Sequence, residues 1–273
     1  MNMEKGVLYV VTGEQYLNEA ERSAESLKNT TNIHCTLITD QCHETNIFDS
    51  VNIVSNDPDS PDKLYKIENM TKTPYEKTIF LDSDTYICRN ISPLFDIIKY
   101  FDLAVSHAPI RSTHRIPELP NCFPEYNTGV ICYQKNKQTQ ELFNKWKNNY
   151  LKSDYEQDQP SFRKSLIHNN KLRFHTLPPE YNCRSIFPGY LNESVRIIHG
   201  RHSSMRRVAK TLNEKTIPRV HYPTNIRLKI ITSERGRFLG LPFRVYNSIK
   251  NRGASETIRV AKNKIINILP NNN

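Results

Sequence analysis

Several kinds of segment are missing from this sequence of 273 residues. No apolar run approaches the roughly 20 residues that cross a bilayer, so we expect no membrane-spanning helix. Neither G-x-G-x-x-G nor G-x-x-x-x-G-K-[ST] occurs, which leaves a Rossmann dinucleotide site and a P-loop unsupported. The short apolar run at residues 7–11 lacks the length and cleavage site of a secretory signal and predicts a first strand.

The six cysteines form no C-x-x-C pair, and the sequence shows no zinc-ligand spacing. Cys35, Cys88 and Cys132 fall in apolar, strand-like runs, so we expect buried, reduced thiols in a reducing compartment. The even number of cysteines leaves disulfides open as the alternative. These features predict a cytoplasmic protein.

Positive charge is concentrated at the C-terminal end. Residues 201–273 carry 16 Lys and Arg against three Glu, within a chain whose formal net charge is +10. Residues 257–269 combine apolar and basic positions at helical spacing, which predicts a basic amphipathic helix. We therefore expect a peripheral contact with anionic lipid on the cytoplasmic face of a membrane, through residues 224–273. A basic helical appendage packed on the body is the alternative, and no motif supports nucleic-acid binding.

The apolar residues 79–81 end abruptly at Asp82-Ser83-Asp84-Thr85. A short β-branched and aromatic run predicts a buried strand, and open α/β sheets bind ligands at the carboxyl ends of their strands. Two carboxylates so close repel each other unless positive charge lies between them. Carboxylate oxygens suit Mg²⁺ or Mn²⁺, so this turn predicts a metal site, with an ordinary polar turn as the alternative.

Apolar runs of strand length alternate with helical patterns through about residue 200. The first strand is followed by Thr12 and Gln15 at the spacing of a capping box, and then by a helix. This alternation predicts an α/β fold with a mixed, mostly parallel sheet flanked by helices, followed by a basic, largely helical extension. We divide the chain into residues 1–222, the body, and residues 223–273, the basic amphipathic segment.

Five short motifs resemble, in their order, those of the GT-A fold glycosyltransferases that use nucleotide sugars, particularly glycosyltransferase family 8. The resemblance spans roughly residues 6–202. The motifs are Val11-Thr12-Gly-Glu-Gln-Tyr16, Phe80-Leu81-Asp82-Ser83-Asp84-Thr85, Tyr126-Asn127-Thr128-Gly129-Val130, Asp158-Gln159 and Ile198-His199-Gly200.

The resemblance implies a GT-A catalytic domain over residues 1–222 and roles for individual residues. Asp82, Asp84 and His199 would bind Mn²⁺, with Mg²⁺ as the alternative. Asp158 and Gln159 would line the reacting face of the sugar as catalytic residues. Donor binding would involve Thr12, Tyr16, Lys63, Lys66, Asp82, Ser83, Asn127, Arg201 and His202.

The implied activity is sugar transfer from a nucleotide diphosphate donor, expected to be UDP-linked, to a saccharide or lipid-linked acceptor. Retention of anomeric configuration is expected; in the inverting alternative, Asp158 would act as base on the acceptor hydroxyl. Asp82-Ser-Asp84-Thr85 also matches the nucleophile motif of HAD-type phosphatases. That motif usually opens its domain, whereas three predicted strands precede it here, and no Asp-Asp or Gly-Asp dipeptide completes the acidic site. A non-enzymatic module that binds membranes or polyanions is the remaining alternative.

Overall fold

The computed structural model describes residues 3–42, 45–110, 114–223, 228–232, 254–256 and 258–259. The strands are β1 (Met3–Val11), β2 (Cys35–Thr39), β3 (Ser50–Ile53), β4 (Tyr75–Leu81), β5 (Thr85–Ile87), β6 (Leu103–His107), β7 (Tyr126–Gln134), β8 (Phe174–Leu177), β9 (Cys183–Arg184), β10 (Gly189–Leu191), β11 (Ile197–His199), β12 (Arg219–Pro223) and β13 (Leu228–Thr232). The helices are α1 (Gly13–Lys28), α2 (Asp62–Met70), α3 (Leu94–Ile97), α4 (Lys137–Leu151), α5 (Gln159–Ile167) and α6 (Met205–Asn213), and a 3₁₀ turn covers Pro179–Tyr181.

Seven strands form the central sheet in the order β3-β2-β1-β4-β7-β6-β8. Among these described strands, β7 alone runs antiparallel to its neighbours. The expected α/β fold with a mostly parallel sheet is therefore confirmed. Because β7 enters the sheet from the opposite end, its first residues lie beside the carboxyl end of β4, where the two aspartates follow.

Apolar side chains pack on both faces of this sheet. Strand β1 is buried continuously from Gly6 to Val11, without the alternation of a half-exposed strand, because helices cover both of its faces. The core on one face includes Leu17 and Leu27 of α1. The core on the other face includes Trp146 and Phe162, from α4 and α5. These two layers fix the strand ends that carry the candidate site.

Two small sheets complete the described fold. One, in the order β5-β11-β9, joins the strand after the aspartates to the strand that ends at His199. The other, in the order β10-β12-β13, is antiparallel. The expected boundary at residues 222 and 223 falls within β12, and β13 is a strand where a largely helical extension was expected. Beyond it, residues 254–256 and 258–259 are helical, and most of residues 224–273 lies outside the described residues.

All six cysteines are unpaired, and Cys35 and Cys132 are buried within strands. Among the helices that the structure describes, none combines the length and apolarity that crossing a membrane would require.

Candidate active site

A polar cleft of about 240 Å³ opens at the carboxyl ends of β1 and β4, beside the first residues of β7. Twelve of the thirteen residues singled out in the sequence line it: Thr12, Tyr16, Lys63, Lys66, Asp82, Ser83, Asp84, Asn127, Asp158, Gln159, His199 and Arg201. The thirteenth, His202, lies instead in an adjoining groove of about 640 Å³, which shares Ser83, Asp84 and Arg201 with the cleft. The fold thus gathers residues that lie as much as 189 positions apart.

Asp82, Asp84 and His199 present ligand atoms that all lie within 4.8 Å of one another. His199 Nε2 is 3.2 Å from Asp84 Oδ1 and 3.8 Å from Asp82 Oδ2. The backbone fixes this arrangement, since the Gly200 N–H donates to the Asp84 carbonyl and the Asp82 N–H donates to the Gly129 carbonyl. Two carboxylates and an imidazole at this spacing can hold one divalent cation.

A chain of hydrogen bonds determines which ring nitrogen of His199 carries the proton. The other nitrogen, which faces the carboxylates, then has a free lone pair. The Gly129 N–H donates to Asn127 Oδ1, so that oxygen is an acceptor, and Asn182 Nδ2 donates to it at 2.8 Å. Asn182 therefore turns its Oδ1 toward His199 Nδ1, 2.9 Å away, and Nδ1 must carry the proton. The neutral ring then offers Nε2 as a lone pair, the form in which histidine binds metals.

Gly129 makes room for this imidazole. A Cβ atom built at Gly129 would lie 1.9 Å from His199 Cε1, well inside van der Waals contact. The backbone of Gly129 lies within strand β7 and does not require a positive φ. The glycine is therefore needed for the close approach of the His199 ring rather than for a turn.

Positive charge surrounds Asp84. Burial alone would raise the pKa of this carboxyl, but the hydrogen bond that the His199 ring donates when it is protonated, together with the charges of Arg201 and Arg184, outweighs burial and holds the pKa well below its usual range. Asp84 is therefore ionised at neutral pH and available as a ligand.

Lys66, on α2, is buried and lies between the carboxylates of Asp82 and Asp158. Its Nζ is 2.9 Å from Asp158 Oδ2 and 3.1 Å from Asp82 Oδ1, and it also contacts Thr128 Oγ1 at 3.3 Å. Burial alone would lower the pKa of Lys66, but the two carboxylates outweigh it and raise the pKa above its ordinary value. Lys66 is a fixed buried cation here, whereas the sequence left it open as a surface residue.

Asp158 precedes α5, and its carboxylate lies within the cleft rather than capping the helix. It accepts a hydrogen bond from Thr128 Oγ1 at 2.9 Å, in addition to its contact with Lys66. Burial opposes ionisation, but the lysines at 66 and 63 and the Thr128 hydroxyl hold the pKa of Asp158 below its usual value. Trp146 Nε1 donates to the Asp158 carbonyl and so anchors the start of α5.

The first strand and helix meet at Thr12, but the expected capping box is absent. The Thr12 hydroxyl donates instead to Asp62 Oδ1 at 3.0 Å, which ties this turn to α2. Gly13 adopts a φ of 71°, and its N–H donates to Asp40 Oδ1. Tyr16 lies one turn into α1 and lines the cleft.

Arg184 and Asn182 are among the residues near the cleft that the sequence interpretation did not single out. Arg184 lines the cleft, and its Nη1 lies 3.5 Å from His199 Nε2. Burial lowers the pKa of Arg184, and Asp84 and Asp82 partly oppose that effect. Asn182 fixes the tautomer of His199. Neither residue lies in a motif; the pairing of β9 with β11 places Arg184 beside His199, and Asn182 directly precedes β9.

Comparison with known proteins agrees with this geometry. Residues 67–205, a little over half of the chain, match the family described as nucleotide-diphospho-sugar transferase. The chain belongs to this family. The matched segment contains Asp82, Asp84, Asn127, Asp158 and His199.

Individual relatives point the same way. A segment of 107 residues is 32% identical to human glycogenin-2 and covers 38% of this chain but 19% of that protein, so the chain spans about a fifth of the length of that relative. The fold is similar to that of the galactosyltransferase LgtC in complex with donor and acceptor sugar analogs. That match has a TM-score of 0.55 and 10% identity, over 73% of this chain and 88% of LgtC.

The glycosyltransferase GlyE of Streptococcus pneumoniae TIGR4 is a further structural neighbour, with a TM-score of 0.51 and 14% identity over 80% of this chain and 58% of GlyE. The chain is thus a member of the nucleotide-diphospho-sugar transferase family whose GT-A fold is shared with these structures. The comparisons favour neither the HAD-type phosphatase nor the non-enzymatic binding module.

Proposed function

We propose that this glycosyltransferase uses a divalent cation, Mn²⁺ in preference to Mg²⁺, held by Asp82, Asp84 and His199. The observation that carries the proposal is the hydrogen-bond chain that leaves His199 Nε2 as a lone pair between two carboxylates. Without a cation or an added proton, that lone pair would face negative charge. An imidazole ligand suits Mn²⁺ better than Mg²⁺, which prefers oxygen. The bound cation would act as a Lewis acid on the diphosphate leaving group.

The donor is proposed to be a UDP-linked sugar that lies along the cleft. Thr12 and Tyr16 would hold the nucleoside, with the Tyr16 ring stacked on the base. Arg201 would face the two phosphates, adding positive charge where the leaving group becomes negative. Asn127, Asp158 and Gln159 would contact the sugar, and Lys63 and Lys66 would reach the donor from α2.

Retention of anomeric configuration is favoured over inversion by the state of Asp158. A general base works best with a pKa near the operating pH. The carboxylate of Asp158 instead has a lowered pKa and is engaged by Lys66 and Thr128. Such a group is a poor proton acceptor and is better suited to orienting the sugar.

The acceptor is proposed to be a saccharide or a lipid-linked saccharide. A hollow of about 230 Å³ adjoins the cleft at Arg184 and is also lined by Ser106 and His107. Ser106 Oγ and Arg184 Nε are buried there without hydrogen-bond partners among the described residues. Buried polar atoms of this kind need partners, and sugar hydroxyls both donate and accept hydrogen bonds.

A thermal-shift experiment with nucleotide sugars and Mn²⁺ tests the donor and the metal together. Binding stabilises the folded state by mass action, by about 2.7 kcal/mol at a ligand concentration 100 times the Kd. We expect UDP and one UDP-sugar to raise the Tm with Mn²⁺ but not with a chelator. Asp84→Asn should abolish the shift, whereas Asp96→Asn, at an exposed aspartate of α3, should leave it intact. A cation-independent shift in the wild type would contradict the metal proposal.

Contact with anionic lipid through residues 224–273 is proposed from charge, because most of this segment lies outside the described residues. We expect the full chain to sediment with vesicles containing phosphatidylserine, and less so at high salt. Replacing Arg259, Lys262 and Lys264 together by glutamine should weaken sedimentation. Equal sedimentation with neutral vesicles would contradict the electrostatic contact.

A further inference from the structure

Helix α1 is joined to the chain that follows Asp82 by a row of three hydrogen bonds. Positions 19, 23 and 26 of the helix face positions 83, 85 and 87. The helix advances by about 6 Å from position 19 to 23 and by about 4.5 Å from 23 to 26, whereas an extended chain advances by about 6.6 Å over two residues, so successive bonds stay roughly in step. The bonds are Ser83 Oγ to Glu19 Oε2 at 3.0 Å, Ser23 Oγ with Thr85 Oγ1 at 2.6 Å, and Ile87 N–H to Ser26 Oγ at 2.8 Å.

Glu19 is the charged member of this row, and it has a second partner. Arg201 Nε lies 2.6 Å from Glu19 Oε1, and Arg201 Nη2 lies 2.9 Å from Glu19 Oε2. One carboxylate therefore contacts both segments that supply metal ligands, the turn between Asp82 and Asp84 and the loop after His199. None of the roles assigned above uses Glu19.

The ion pair between Glu19 and Arg201 is important for the position of the Arg201 side chain rather than for folding stability. The Arg201 side chain is 58% exposed and that of Glu19 is 16% exposed. An exposed ion pair contributes little to folding stability. A bidentate contact with a half-buried carboxylate nevertheless restricts the rotamers of a long, flexible side chain.

Glu19 holds Arg201 at the wall between the cleft and the adjoining groove. The guanidinium carbon lies 5.7 Å from the centre of the Tyr16 ring, and Arg201 and Asp84 both line the cleft and the groove. The Arg201 guanidinium therefore lies between Tyr16, the proposed base-stacking ring, and Asp84, a proposed metal ligand. The pyrophosphate of a bound nucleoside diphosphate would lie in this region.

We infer that Glu19 is a positioning residue, which fixes Arg201 to bind the pyrophosphate of the donor and of the nucleoside diphosphate product. This inference rests on the proposed function. Glu19 touches neither substrate nor metal and acts through Arg201. Loss of the Glu19 carboxylate leaves Arg201 present but lets its side chain move. Binding of the pyrophosphate then weakens, although no group that contacts the ligand has been removed.

The test is isothermal titration of the full chain with UDP in saturating Mn²⁺. We expect Glu19→Gln to raise the Kd of UDP about tenfold, a size typical of losing a group that orients a binding residue. Glu25→Gln removes the same charge from an exposed position on the same helix and should leave the Kd within twofold. An unchanged or lower Kd for Glu19→Gln would overturn the inference. Absence of UDP binding by the wild type would instead overturn the proposed function.

A double-mutant cycle separates positioning from a merely structural role. If Glu19 acts through Arg201, adding Glu19→Gln to Arg201→Gln should raise the Kd no further than Arg201→Gln does alone. Additive increases in Kd would contradict the inference. Ser23→Ala breaks the next bond of the row without touching Arg201, so it should lower the Tm while leaving the Kd of UDP unchanged. If Ser23→Ala raised the Kd of UDP as much as Glu19→Gln does, the weakened binding would result from the placement of helix α1 as a whole. That result would overturn the specific role of Glu19.

Discussion

The two sides of the cleft use similar carboxylates but pair them differently. On the buried side, Asp158 is compensated by Lys66, and these side chains are 4% and 7% exposed. On the metal side, Asp84 is 16% exposed and faces His199, whose side chain is 4% exposed. Asp82 joins the two sides, with Oδ1 at 3.1 Å from Lys66 and Oδ2 at 3.8 Å from His199.

On one side of the cleft the protein itself supplies the compensating cation, and on the other side a bound cation is proposed to supply it. On the buried side, Lys66 already lies between the carboxylates of Asp82 and Asp158, so under the proposed function these side chains would orient a sugar without large rearrangement. On the metal side, the neutral form of His199 presents a lone pair beside two carboxylates and therefore suits a cation. The same residue types are thus paired within the protein on one side and, under the proposed function, would bind a cation on the other.

The largest effect on stability is expected from Lys66→Met, which removes the cation between Asp82 and Asp158. Removing one partner of a buried ion pair costs about 3–5 kcal/mol because the opposite charge is left uncompensated. Chemical denaturation should show a loss of this size. Lys63→Met, one turn earlier on α2, should change the free energy of unfolding by less than about 0.5 kcal/mol. Equal losses for the two variants would contradict the assignment of Lys66 as the cation that compensates the buried carboxylates.

An intermediate effect is expected from Gly129→Ala, which acts on the metal side. The new methyl group would overlap the His199 ring, and overpacking of this kind costs about 1–3 kcal/mol. Displacing the ring should also weaken Mn²⁺ binding about 10- to 100-fold in a calorimetric titration. Ile131→Val, in the same strand, should cost about 0.5–1.5 kcal/mol and leave Mn²⁺ affinity unchanged. Full Mn²⁺ affinity in Gly129→Ala would show that the ring position is not critical.

The smallest expected effect is a change with pH in the contribution of Asp158 to the free energy of unfolding. The pKa of Asp158 is lowered in the folded state, so its ionised form stabilises the fold above its unfolded pKa of about 3.9, and that contribution is lost as pH falls through the folded pKa. The difference in unfolding free energy between wild type and Asp158→Asn should therefore shrink on acidification from about pH 6 to pH 3. The change should be on the order of 1 kcal/mol, since one pKa unit corresponds to about 1.4 kcal/mol. A difference that grows in acid would contradict the direction of the shift.

The sequence predicted the sheet and much of the site because the signals were local. The apolar run before Asp82 and the residue pattern after β1 reflect burial and turn formation within a few residues. Asn182 and Arg184 could not be found in this way, because strand pairing alone brings them to His199. Strand β13 was missed because its basic, apolar composition suits a helix as well as a paired strand, and the partner strand decides between them.

Anomalous diffraction from crystals grown with Mn²⁺ and UDP tests the central claim most directly. The account predicts a single strong manganese peak within about 2.5 Å of Asp82, Asp84 and His199 Nε2, with Nδ1 still bonded to Asn182. A manganese peak elsewhere, or UDP bound with no peak at these three side chains, would contradict it.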